Sequence, residues 1–154
     1  MTDNAALAGE LGRSRLQLLD ALALVPDDAW QPRDWGVREM VAHLAARDDI
    51  CTRTVTELMD GGELVPVLRD GDAFNRQAIE DARELSPLQV VLRLHAARAR
   101  LVSQVARAGD LGEFQFPWGQ RGQLADMVRG LAEHEGEHSR EILNLVRPTK
   151  EITL

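Results

Sequence analysis

The sequence predicts an all-α protein, a four-helix bundle with one extra short helix between the second and third long helices. Apolar residues recur at helical spacing through most of the chain, and prolines and glycines interrupt the pattern between these stretches. Only residues 62–68, GELVPVL, look like a strand, and Pro66 argues against one. A length of 154 residues suits a single domain spanning 1–154.

The first two helices are predicted on either side of a segment that contains two prolines. Residues 4–25 carry an apolar stripe of Leu7, Leu11, Leu18, Leu22 and Val25. A second helix starts at Val37, with Gly36 as its N-cap and Glu39 as the third helical residue, and ends at the glycine pair 61–62. Its predicted apolar stripe consists of Val37, Met40, Leu44, Cys51, Val55 and Leu58.

A short helix and two long helices complete the prediction. Residues 71–85 form the short one, and Ser86 followed by Pro87 and Gln89 indicates a capped helix start. The predicted inner face of this fourth helix is Leu88, Val91, Leu92, His95, Ala99 and Val102. Residues 108–122 are predicted as a loop, and the last helix runs over 123–146. Its predicted stripe is Met127, Leu131, His134, His138, Ile142 and Leu145.

Charge and composition narrow the range of partners. The formal net charge of −7 argues against nonspecific binding to nucleic acid or to an anionic membrane. No apolar run reaches the ~20 residues that span a bilayer, and the N-terminus has no signal-peptide pattern. Cys51 is the only cysteine, which fits a reducing cytoplasm, and its helical spacing predicts a buried, unreactive thiol.

The segment HEGEH, residues 134–138, carries the clearest chemical signal. Residues four apart lie on one face of a helix, so His134 and His138 can direct both imidazoles at one metal ion. His43, on the second helix, can supply a third nitrogen. Three protein ligands leave coordination positions open, as catalytic metal sites do. The alternative is an accidental pair of core histidines.

The same segment matches H-E-x-x-H, the zinc-peptidase signature, but a peptidase is disfavoured. Glu135 would have to be the general base, and it is rotated about 100° from His134, which predicts that it points away from the helix seam. No third ligand motif follows His138, although Glu141 lies one turn further along the helix. The sequence also predicts no sheet that would hold an extended substrate.

Three segments together resemble the DinB/YfiT-like family of metal-binding four-helix bundles. They are WGVREMVAHLAARDDI at 35–50, DAFNRQAIEDARELSPLQVVLRLHAARARL at 72–101 and LADMVRGLAEHEGEHSREI at 124–142. Trp35 precedes His43 by eight residues, and the chain carries an H-x-x-x-H pair on its last helix, as family members do.

The resemblance implies a function as well as a fold. It implies a divalent metal (zinc, nickel, iron or manganese) held by His43, His134 and His138. Similar proteins include S-transferases that use bacillithiol, mycothiol or glutathione, and a mycothiol-dependent maleylpyruvate isomerase. Family membership implies the metal site more firmly than it implies one reaction.

Five further residues are candidates for the site. His95 is a candidate for proton transfer, or else a core histidine. Asp48, inside the second apolar stripe, either orients a ligand histidine or pairs with an arginine. Asn75 is a pocket or helix-surface residue, Arg98 an anion-binding residue or part of a solvated face, and Trp118 a pocket wall.

The sequence therefore predicts a small metal-dependent enzyme, a thiol-dependent S-transferase or a related detoxifying activity on a small electrophile. The metal would lower the pKa of a bound thiol or water. The main alternative is a non-catalytic bundle that sequesters a metal or a metabolite. A third possibility is a helical scaffold that binds a protein and no metal. The sequence leaves open whether the protein forms a homodimer.

Overall fold

The computed structural model describes residues 3–62 and 71–146. Within these residues five helices and one small hairpin follow one another. The helices are α1 (Asn4–Leu22), α2 (Val37–Met59), α3 (Gly71–Ala82), α4 (Pro87–Arg107) and α5 (Leu124–Val146). A short 3-10 helix covers Asp27–Trp30, and strands β1 (Phe114–Gln115) and β2 (Arg121–Gly122) pair antiparallel before α5.

The four long helices form a bundle in which α1 packs against α4 and α5, and α4 packs against α2. The short helix α3 lies on α2. Direct contact between α2 and α5 is sparse, so the bundle is open along this edge. This confirms the predicted all-α bundle with an extra helix between the second and third long helices, and it shows where a cleft can form.

Local signals set the helix ends as predicted. The Gly36 amide donates to Glu39 Oε1 at 2.9 Å, and the Gln89 amide donates to the Ser86 hydroxyl at 3.2 Å. Asp3 caps α1 by accepting from the Ala6 amide. These bonds satisfy amide groups that the first turn of a helix leaves without intrahelical partners.

The core lies between the helices in two clusters of buried apolar side chains. One joins α1, α2 and α4 around Leu18, Met40 and Leu94, and the other reaches the hairpin through Phe114 and Phe116. Cys51 is fully buried, and burial raises the pKa of its thiol, as expected for an unreactive cysteine.

The predicted inner face of α4 is wrong. Leu88 and Leu92 are 67% and 55% exposed and His95 is exposed, whereas the buried stripe passes through Val90, Leu94, Ala97, Arg98, Leu101 and Val105. Apolar residues occur on both sides of α4, so periodicity alone did not decide between two stripes. The true stripe contains a charged residue, Arg98, which made it look like the outer face.

Two smaller expectations also fail. The segment 108–122 is not only a loop, because Phe114 and Gln115 pair with Gly122 and Arg121. Leu145, predicted on the inner stripe of α5, is 58% exposed. The strand-like segment at 62–68 lies, beyond Gly62, outside the described residues. No helix within 3–62 or 71–146 is long and apolar enough to cross a membrane.

Candidate metal centre at the open edge of the bundle

Three histidines meet at the open edge between α2 and α5. His43 Nε2 lies 3.2 Å from His134 Nε2, and His138 Nε2 lies 3.1 Å from the same atom. One nitrogen from each of the three rings lies within 4.8 Å of the others. The residues that the sequence proposed as ligands are therefore adjacent in the fold, although the metal itself stays a prediction.

Neighbouring side chains orient two of the three rings. His43 Nδ1–H donates to Asn75 Oδ1 at 2.6 Å, and His138 Nδ1–H donates to Glu141 Oε1 at 3.2 Å. With the proton held on Nδ1, each ring directs the lone pair of Nε2 at the centre of the cluster. Metal-binding histidines show this arrangement, in which the second nitrogen donates to an amide, a carbonyl or a carboxylate.

The geometry fits a first-row divalent metal. Two imidazole nitrogens that are each bonded to such an ion at 2.0–2.1 Å stand roughly 2.9–3.4 Å apart for angles of 90–109°. The two measured separations fall within this range. Without a cation, His134 has one Nε2 proton at most to share with two facing lone pairs, and its own Nδ1 is buried without a partner.

The protonation of the cluster also suits metal binding. Burial lowers the pKa of His43 to about 4, with a smaller opposing effect from the hydrogen bond to Asn75. Burial, and then the nearby charges of Arg47 and the other two histidines, lower the pKa of His134 to about 3. Both rings are therefore neutral at pH 7, the form in which histidine binds a metal.

Trp35 connects the segment before α2 with α5. Its indole N–H donates to Glu141 Oε2 at 2.9 Å, and its ring centroid lies 5.9 Å from that of His43 and 5.8 Å from that of His138. Glu141 joins Trp35 and His138 and holds both beside the cluster.

A cleft of about 270 Å³ opens beside His43. Asn75 and Trp118, both proposed from the sequence, line it, together with Phe74 of α3. The remaining lining residues are Arg47, Ile50 and Gly71. Arg47 and Ile50 follow His43 at helical spacing on the same face of α2. This spacing could have predicted from the sequence that they lie beside His43.

Trp118 is held by the hairpin that precedes α5. Its ring faces Gly130 of α5, where an added Cβ would stand 3.5 Å from the indole. The guanidinium of Arg47, on α2, lies over the same Trp118 ring, 4.4 Å from its centroid. Trp118 therefore spans the gap between α5 and α2 and forms one wall of the cleft.

Asp48 and Arg98 belong to a different part of the interior. Asp48 accepts from Arg15 Nη2 at 2.8 Å and from Arg98 Nε at 2.9 Å. Of the two roles considered for Asp48, the pairing with arginine is the one observed. Arg98 is buried and neither lines the cleft nor belongs to a solvated face, because its charge is matched by Asp48 and by Glu135.

Glu135 is the fourth charge of this buried network. It accepts from Arg15 Nε at 2.7 Å, from Arg98 and from the Ser14 hydroxyl, and it is fully buried. The expectation that Glu135 turns away from the seam was wrong, because the inner face of α5 passes through it. A carboxylate held by two arginines cannot serve as a general base at the histidines, which removes the peptidase interpretation.

His95 lies apart from the candidate metal centre. Its side chain is exposed on α4, and it is among neither the three clustered histidines nor the residues that line the cleft. The interpretation of His95 as a core residue is wrong for the same reason as the predicted inner face of α4. Its proton-transfer role has no support in these contacts.

Comparison with known proteins gives the family. The family model described as the mycothiol maleylpyruvate isomerase N-terminal domain matches residues 32–135. The chain belongs to this DinB-like family. The matched range contains His43 and His134 and ends before His138. The resemblance inferred from the sequence motifs is thereby confirmed.

Solved structures show the same fold. A mycothiol-dependent maleylpyruvate isomerase, and its variant with one histidine changed to alanine, each match with a TM-score of 0.72 at 16% sequence identity. Each match covers 92% of this chain and 63% of the isomerase chain, so this chain spans less than two thirds of the length of that protein. None of the curated proteins matches the chain in sequence.

Proposed function

We propose that the chain is a metal-dependent enzyme that joins a low-molecular-weight thiol to a small electrophile. The observation that carries the proposal is the convergence of three imidazoles, with Nε2 separations of 3.1 and 3.2 Å, beside an open cleft. The mycothiol dependence named for the structural relatives supports a thiol as the co-substrate.

The chain's own residues have distinct roles in this proposal. His43, His134 and His138 would hold a divalent ion, and Asn75 and Glu141 would keep two of the rings in the required tautomer. A bound ion supplies Lewis acidity that lowers the pKa of a coordinated thiol or water to near neutrality. Trp118 and Phe74 would cover the reactants and limit access of water.

The reaction proposed is nucleophilic transfer to carbon. The thiol loses its proton, its sulfur forms a bond to the electrophilic carbon, and the leaving group departs with the bonding electrons and takes up a proton. Zinc, nickel, iron and manganese all suit an imidazole site of this kind, and metal supply often decides among them.

The test is turnover by metal-loaded protein with mycothiol, bacillithiol or glutathione and an electrophile that carries a leaving group, such as an activated aryl halide. Wild type should consume thiol and electrophile together, and His134→Ala should lose this activity. His95→Ala is the matched control, since the same substitution is made at an exposed histidine outside the cluster.

Two results would count against the proposal in different ways. Stoichiometric metal binding without turnover of any thiol would favour a bundle that sequesters a metal or metabolite. Equal loss of activity in His95→Ala and His134→Ala would remove the link between the reaction and the three-histidine cluster.

A further inference from the structure

Arg47 is an arginine at the cleft, and both its place on α2 and its contact with Trp118 fix its position. It lies one turn beyond His43 on α2 and lines the same cleft as His43 and Asn75. Its guanidinium stands 4.4 Å from the centroid of the Trp118 ring, within the range of a cation–π contact. The charge is therefore held next to the candidate metal centre.

The guanidinium of Arg47 is poorly satisfied. Its Nε is buried and has no hydrogen-bond partner, and no carboxylate of residues 3–62 or 71–146 forms an ion pair with it. Burial lowers the pKa of Arg47, an effect that neighbouring groups, mainly on α2, only partly oppose. Among the buried arginines, Arg15 and Arg98 each contact two carboxylates, and Arg38 donates to three backbone carbonyls. An arginine partly removed from water without such a partner is suited to receive an anion.

We propose that Arg47 binds the carboxylate of a small organic acid and thereby positions the substrate of the three-histidine cluster. Trp118 covers one face of the guanidinium, and an anion binds along the edge because the N–H groups lie in the guanidinium plane. A planar carboxylate accepts two parallel hydrogen bonds from this edge, which makes it a better match than a tetrahedral anion.

The rest of the cleft sets the size of the acid. A volume of about 270 Å³ is small for a ligand pocket, and Ile50 and Phe74 give part of the wall an apolar surface. A short carbon skeleton would fit between Arg47 and His43, with the carboxylate at the arginine and the reactive carbon towards the imidazoles. Arg47 is then a residue that determines substrate specificity.

This inference rests on the proposed function only for the reaction at the far end of the substrate. Carboxylate binding by Arg47 needs no metal, so it is measured first in metal-free protein. The probes are succinate as the carboxylate and inorganic phosphate as the tetrahedral anion, each titrated while the Nε–H resonances of the arginines are followed by NMR. Binding constants come from the same titrations.

The variants compared are Arg47→Gln, Arg47→Lys and Arg121→Gln. Arg121 is the matched control, because it lies in the hairpin next to the Trp118 turn but is exposed and paired with Glu113. Succinate should shift the Nε–H resonance of Arg47, and Arg47→Gln should weaken its binding roughly 10- to 100-fold. Arg47→Lys should recover only part of this loss, and Arg121→Gln should change it less than about 2-fold.

The opposing results are distinct from failure of the metal proposal. No Arg47-dependent binding of succinate in wild type, or equal binding by Arg47→Gln and Arg121→Gln, would show that Arg47 only packs against Trp118. Tighter Arg47-dependent binding of phosphate than of succinate would overturn the carboxylate assignment. A chain that binds succinate through Arg47 but takes up no metal would refute the proposed enzyme and leave this inference standing.

Discussion

Two polar clusters lie on neighbouring faces of α5, and they differ in how completely their groups are paired. On the inner face, Glu135 belongs to a network in which two arginines and two carboxylates match one another. On the cleft face, the nitrogens of three imidazoles face each other and His134 Nδ1 has no partner. A closed network stabilises one arrangement of the helices, whereas an open one is completed by a ligand.

The largest expected effect is on the inner face. Glu135→Leu leaves the buried charges of Arg15 and Arg98 with Asp48 alone, and removal of one partner from a buried ion network costs about 3–5 kcal/mol. We expect a loss of this size in the free energy of unfolding, measured by urea denaturation. A change below about 1 kcal/mol would show that the network is not needed for the fold.

A smaller effect is expected where Glu141 orients His138. Glu141→Gln removes the carboxylate that accepts from His138 Nδ1–H and from the Trp35 indole. Loss of such an outer partner weakens metal binding by about 10- to 100-fold. Competition with a chelator measures this affinity, and Glu137→Gln, an exposed residue of the same helix, is the control. Equal affinities in the two variants would contradict the role of Glu141.

The pH dependence of the metal-free protein comes next in size. The pKa values of His43 and His134 are lowered from the ordinary value of 6.5 to about 4 and about 3, so the unfolded chain binds protons at a pH at which the folded chain does not. Their contribution to stability is complete above pH 6.5 and is lost as the pH falls from 6.5 towards 4.

Urea denaturation between pH 7 and pH 4.5 measures this loss. We expect the pair to lower the free energy of unfolding by roughly 1 kcal/mol for each pH unit. This value already allows for the partial exposure of His134, which weakens the effect. The double variant His43→Gln/His134→Gln should show a shallower slope. An unchanged slope in that variant would show that other groups control the acid lability.

The smallest effect is expected at an ion pair on the surface. Asp49 and Arg100 are 2.8 Å apart, but more than half of each side chain is exposed, so solvent screens their attraction. Asp49→Ala should change the free energy of unfolding by no more than about 1 kcal/mol. A loss as large as that of Glu135→Leu would mean that burial does not explain the difference between the two clusters.

The sequence predicted the helices and the three histidines well, because both depend on local spacing. Ser86 with Gln89 and Gly36 with Glu39 placed helix starts correctly. The i, i+4 spacing of His134 and His138 placed both rings on one face. His43 was proposed from its position on the second helix, and the family resemblance supported that choice, because spacing alone does not show which helix faces α5.

The buried charges could not be predicted in the same way. Arg98 and Glu135 pair across different helices, so each looks like a surface residue when its own helix is considered alone. This is why the predicted inner face of α4 passed through His95 and not through Arg98. The hairpin was missed for another reason: two-residue strands are too short for an alternating pattern to be recognised.

The most direct test of whether a ligand completes the cluster of three histidines is metal stoichiometry, measured by elemental analysis of tag-free protein. The samples are wild type, His43→Ala, His134→Ala and His95→Ala, each loaded with zinc, nickel or manganese and then desalted. We expect about one divalent ion per chain in wild type and in His95→Ala, and clearly less in His43→Ala and His134→Ala. Absence of metal from wild type after all three loadings would contradict a metal site at the three histidines, as would the same occupancy in all four proteins.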